Sequence, residues 1–169
     1  MQRTNPADLG PAANAANFVA AIQDEREALI AFTGLLEAEQ DALVQGDADR
    51  VAALAAQKST QIDLLSHLGK LRGRYLAAQN LDAGSEGMMA WLGRNPGFAT
   101  AVRKIWNELL ALAEKAKQIN LNNGALIESR LQQVRTKLTV LHSAANAEGV
   151  YRTDGQLRGL RSTRTFGQI

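Results

Sequence analysis

The side chains that could do chemistry are few and scattered. His67 and His142 stand on separate segments, so each reads as a surface or boundary residue rather than a ligand. There is no cysteine, hence no disulfide framework, thiolate metal site or thiol nucleophile, which fits a reducing compartment. Asp47-Ala48-Asp49 offers two carboxylates but lacks the rest of a calcium loop. No glycine-rich phosphate loop, HExxH or GxSxG pattern occurs. The expectation is a protein that is no enzyme and takes no metal or cofactor.

What remains is the chemistry of contact. Ile119-Asn120-Leu121-Asn122-Asn123-Gly124 places three asparagines and a glycine, all poorer helix formers than alanine, inside an otherwise helical stretch. Two readings stand open there. One is a locally weak turn in which Asn123 sets the register of a seam; the other is a hinge or contact point for another chain. Further on, Arg152, Arg158, Arg161 and Arg164 punctuate the last twenty residues, which lack the density of aromatic platforms that single-stranded nucleic acid requires.

These groups must be positioned by helices. Alanine and leucine dominate, aromatics make up 5% of the 169 residues, and no window alternates as a half-buried strand does. The dominant element is a helix from Asn95 to Gly149: Asn95 suits its cap, Pro96 its first turn, and Gly149 its left-handed end. At about 1.5 Å per residue it would be roughly 75 Å long, too long for the middle of a compact domain. Ile105, Leu109, Leu112, Ala116, Ile119 and Asn123 follow coiled-coil spacing. A second series, Ile127, Leu131, Val134, Leu138 and Leu141, is displaced from the first by a stutter.

The rest of the chain is expected to pack on that helix. Residues 1–16 read as a loose leader, followed by a bundle over 17–149 and a disordered tail over 150–169 with scattered apolar anchors. A helix from about Asn17 to Gln45 carries Phe18, Ile22, Leu29, Phe32, Leu36 and Leu43 on one stripe, with Glu25 and Glu39 read as marking its edge. Gly46-Asp47 is a tight junction, so a second helix to about Gln79 returns antiparallel, with Val51, Leu54, Ile62, Leu65, Leu68 and Tyr75 inward and Lys58 and Arg72 snorkelling at the edge. A short piece capped by Ser85, with Met88, Met89 and Trp91, reads as a plug for the hairpin rather than a docking patch. The fold class is all-α: an antiparallel hairpin plus a very long third helix in an elongated coiled-coil-like bundle.

Charge separates along the chain. Residues 1–90 carry 7 Lys/Arg against 12 Asp/Glu, and residues 91–169 carry 12 against 5. The acidic front can pair with the basic back, a reading preferred to a phosphate-binding face. No apolar run approaches membrane-spanning length, and the N-terminus lacks the apolar core of a signal peptide.

At residues 119–131 the chain resembles FlgN-type flagellar export chaperones: Asn120, Asn123, Gly124, Leu126 and Ile127 match the signature N-x-x-N-G-x-L-I. Tyr151-Arg152-Thr153-Asp154-Gly155 is similar to the Y-G-x-x-G that opens the family's tail, with Arg152 in place of glycine. The resemblance implies a cytoplasmic chaperone of the flagellar type III secretion system. It would bind the C-terminal helices of the hook-associated (hook–filament junction) proteins, prevent their premature assembly and deliver them to the export gate. Tyr151 would then dock the cytoplasmic domain of that gate. From the residues themselves, the arms of the hairpin are too short to cover fully Ile127, Leu131, Val134, Leu138 and Leu141, which extend a stripe that begins at Leu126. These, with Leu157, Leu160 and Phe166 of the tail, are the expected client surface. The rivals are a self-associating coiled coil that pairs the stripe in a homodimer, and a nucleic-acid adaptor using the tail arginines. No nucleic acid and no stable membrane insertion are expected.

Overall fold

The computed structural model describes residues 11–148, with side chains from 14 to 144. Among these residues there are four helices and no strand: α1 (Pro11–Gln45), α2 (Ala48–Ala78), α3 (Ser85–Arg94) and α4 (Pro96–Glu148). The all-α class is the one expected, and α4, at 53 residues, begins beside Asn95 and is helical to Glu148, the last described residue, while the expected end at Gly149 lies outside the described residues. α1 starts six positions earlier than the expected Asn17. Proline is at home in a first turn, the segment Ala12-Ala13-Asn14-Ala15-Ala16 is rich in the best helix former, and Ala15 is buried. Residues 11–16 are therefore helical rather than a loose leader.

The hairpin closes as the sequence demands. Gly46 takes φ 76°, the left-handed conformation that favours glycine. The Asp47 N–H bonds the Ala42 carbonyl at 3.0 Å and the Gly46 N–H bonds that of Leu43 at 3.2 Å, satisfying carbonyls at the end of α1. Asp47 then caps α2, its Oδ1 accepting the Arg50 N–H at 3.0 Å.

α3 departs from expectation at its start. Ser85 is its first helical residue and Gly84 occupies the cap position without a side-chain bond. The Gly84 N–H is instead taken by Asp82 Oδ1 at 2.7 Å. The Asp82 carbonyl lies so close to Gly87 that a β-carbon there would run into it, so this approach requires glycine. At the far end, Asn95 joins two helices: its Nδ2 donates to the Trp91 carbonyl at 2.9 Å, and its own carbonyl accepts the Phe98 N–H at 3.0 Å.

The described residues divide into two units after Leu126. The first holds a core of Phe18, Ile22, Leu29 and Leu36 from α1, Leu76 from α2, Met88, Trp91 and Leu92 from α3, and Val102, Trp106, Leu109 and Ala116 from α4. α3 acts as the plug: Trp91 and Met88 are fully buried while Met89 stays exposed. Phe18 stacks on Tyr75 with centroids 3.9 Å apart and meets Trp91 edge-on at 4.9 Å, geometries that favour aromatic pairs beyond their buried area. Ion pairs Arg26–Glu108 (2.8 Å) and Glu37–Lys115 (2.7 Å) show that α4 runs in the same direction as α1.

The seam of α2 differs from the expected one by a position. Ile62 is 48% exposed rather than inward. Leu54, Lys58, Gln61, Leu65, Leu68, Arg72 and Tyr75, all buried or half-buried, follow the four-three spacing that faces the bundle. Three polar residues thus sit on the seam, where an apolar-only reading slides to the neighbouring isoleucine.

Candidate functional site

The polar seam residues of α2 meet the two glutamates of α1. Arg72 Nε lies 2.8 Å from Glu25 Oε2 and its Nη2 3.3 Å from Oε1, a two-pronged pair. Its Nη1 donates to the Ala83 carbonyl at 2.9 Å, and its guanidinium lies 4.9 Å from the Trp106 ring centre. Lys58 Nζ lies 2.9 Å from Glu39 Oε2. Glu25 and Glu39 are 6% and 4% exposed, so the reading of both as edge residues is wrong. A carboxylate removed from water requires a cation, and α2 supplies one opposite each. Glu25 and Glu39 are as far apart along α1 as Arg72 and Lys58 are along α2, so one antiparallel register satisfies both pairs.

α4 joins the second of these sites through the asparagine cluster. Asn123 is 1% exposed; its Nδ2 donates to the Leu36 carbonyl at 2.9 Å and to Glu39 Oε2 at 2.8 Å. Between the two readings of this cluster, the structure makes Asn123 a seam asparagine that fixes register. A one-turn slip of α4 would strand its amide and leave Glu39 with one donor fewer. Asn120 and Gly124 are exposed, and a β-carbon on Gly124 would meet nothing within 4 Å. Nothing among the described residues therefore accounts for the glycine. Sequence reasoning missed the contribution of Arg72 and Lys58; the signal lay in two acids and two bases spaced alike on facing stripes.

Beyond this polar layer the surface changes. Leu126 is half-buried, and every residue from Ile127 to Ala144 is exposed. Ile127, Leu131, Val134, Leu138 and Leu141, the second seam series, are 38%, 50%, 54%, 51% and 64% exposed. Single exposed apolar residues are ordinary, but five in register along one helix face form the kind of patch that marks an interaction surface. Tyr151, Gly155, Leu157, Leu160 and Phe166 lie outside the described residues, as does Gly149. His67 and His142 are both exposed. Among the described residues no group of three or more His, Asp or Glu side chains could hold a metal ion, and no helix is long and apolar enough to cross a membrane.

Fold and surface together define an all-α protein of long helices whose longest helix carries, among the described residues, a coiled-coil seam exposed from Ile127 to Leu141. The family model described as FlgN protein matches residues 14–159. The chain belongs to this family and is a flagellar export chaperone. Comparison with curated proteins and with solved structures returned no match.

Proposed function

We propose that this chaperone works in the cytoplasm on the hook-associated proteins of the hook–filament junction, holding their C-terminal helices until export. The observation that carries this is the uncovered seam from Ile127 to Leu141, with Leu126 at its near end. An amphipathic helix laid along it would bury on the chaperone the apolar face that otherwise drives the client's own assembly, a helix-in-groove complex. Residues 150–169 act as the partner-binding tail that follows α4, with Leu157, Leu160 and Phe166 closing over the bound helix. Tyr151 brings the loaded chaperone to the cytoplasmic domain of the export gate. Asn120 and Gly124, exposed beside the seam, are the remaining motif residues available to a partner.

The test is isothermal titration of the full chain with C-terminal fragments of the hook-associated proteins. Binding with a negative heat-capacity change is expected from burial of apolar surface. Leu131→Asp combined with Leu138→Asp should abolish it while circular dichroism stays helical, and deletion of residues 150–169 should weaken it. A wild-type protein that gives no heat with these fragments, and that light scattering shows to be a tight dimer losing its partner in the double variant, would establish the self-pairing coiled coil instead.

A further inference from the structure

The side of α4 turned toward α2 is closed at one end and open at the other. At the closed end Trp106, 3% exposed, lies under the Arg72 guanidinium. Farther along, both helices reach one oxygen: Glu39 Oε2 lies 2.9 Å from Lys58 Nζ of α2 and 2.8 Å from Asn123 Nδ2 of α4. The heptad steps from Trp106 fall on Ala113 and Asn120, and about five whole turns beyond it stands Gly124. All three are exposed. Leu110 and Leu121, beside this track, are 42% and 57% exposed.

α2 supplies the opposite wall. Gln57, Thr60 and Gln61 line its groove with Ala31 and Leu35 of α1. Ile62 and Ala55 lie on its other side, toward α4, with Ile62 one turn from Lys58 and one heptad before Gly69, where a β-carbon would meet Glu25. Both are exposed, as is Ser66. Ile62, Leu110 and Leu121 thus border an opening between α2 and α4 that no described residue fills.

Two weak helix formers stand in this opening. Asn120 makes no hydrogen bond among the described residues, and open space surrounds the missing β-carbon of Gly124. Each weakens the interior of a helix. What they permit is the close approach of a second backbone and an amide able to bond it. The next heptad position after Asn120 is Ile127, the first residue of the exposed seam on the same helix. We propose that the client's amphipathic helix does not stop at Ile127 but continues into the opening between α2 and α4. There it packs on Ile62 and Leu121, its backbone comes close at Gly124, and Asn120 bonds it. This rests on the seam being the client surface, and it adds α2 as a second wall of the site.

The test is hydrogen exchange of the full-length chaperone with and without C-terminal fragments of the hook-associated proteins, joined to titration of variants. On binding, exchange should slow in α2 around residues 51–62 as well as in α4 from residue 113 onward. Ile62→Asp and Gly124→Gln should each weaken binding about tenfold or more, with circular dichroism unchanged. Leu64→Asp, on the other side of α2, should bind as wild type does. Fragments that bind without slowing exchange in α2, and that bind the Ile62 and Gly124 variants at wild-type affinity, overturn the inference and leave the client assignment standing. A free wild type that is a dimer, and that Ile62→Asp returns to monomer, also overturns it, since a second copy would then fill the opening. Fragments that fail to bind at all remove the client assignment and this extension of it together.

Discussion

The two halves of α4 have nearly the same apolar repeat and opposite fates. From Val102 to Asn123 the seam is buried or half-buried; from Ile127 to Ala144 no residue is even half-buried. Composition does not separate them, since leucine and isoleucine at coiled-coil spacing are as frequent in the second as in the first. What differs is what lies against them. In the first half, flanking Glu108 and Lys115 find Arg26 and Glu37, and Asn123 finds Leu36 and Glu39. In the second, the seam side chains from Ile127 to Leu141 are exposed, and the flanks carry both signs, Glu128 among the cations. A complete apolar repeat along a helix therefore does not by itself decide whether that face is covered.

The largest effect is expected at Arg72. Arg72→Ala leaves Glu25 buried without its cation and removes the group stacked on Trp106, and should cost about 3 kcal/mol in chemical denaturation. Arg72→Lys should recover only part, since an ammonium cannot make the two-pronged bond and lie over the ring. An alanine variant as stable as wild type would mean the buried pair contributes nothing to the covered half.

Asn123→Ala should cost less, about 2 kcal/mol, through the lost donors to Leu36 and Glu39. Its more informative readout is hydrogen exchange: protection should fall in α4 near residue 123 and in α1 near residue 36, and stay unchanged at Trp91. On the exposed side, Leu131→Asp with Leu138→Asp should alter stability by no more than about 0.5 kcal/mol per site. Thermal melts falling well below wild type would move that stripe into the core and erase the contrast drawn here. The smallest effect is expected at Gly124, where open space surrounds the missing β-carbon. Gly124→Ala should raise stability by up to about 1 kcal/mol, as alanine does in a helix interior. If client binding falls in the same variant, the glycine serves a closely approaching partner; if it does not, the glycine has no contact to protect.

The helices were legible because their signals are local. Pro96, Gly46 and Asp47 act within a turn of themselves, and a four-three apolar repeat needs no knowledge of what it faces. The start of α4 and the hairpin junction followed from these alone. The start of α1 was misjudged because an alanine-rich segment after Pro11 has little apolar bulk to announce it, yet buries Ala15 once neighbours exist. Ile62 was misjudged for the opposite reason: it is conspicuously apolar, but the true seam passes through Gln61, and only the facing helix shows that a polar residue belongs there.

The candidate surface divides the same way. The sequence by itself determined that α4 carries two apolar seams offset at the asparagine cluster, where Asn120, Asn123 and Gly124 fall in the order of the motif the chain resembles. Only the tertiary structure decided which seam is covered, that Asn123 closes the covered one by bonding Leu36 and Glu39, and that Glu25 and Glu39 are interior ion pairs rather than borders. The physical reason is range. Caps and periodicity are set by neighbours within a few residues along the chain, whereas the burial of a charge depends on a counter-charge that may lie anywhere in it, and its place is known only when the helices have been brought together.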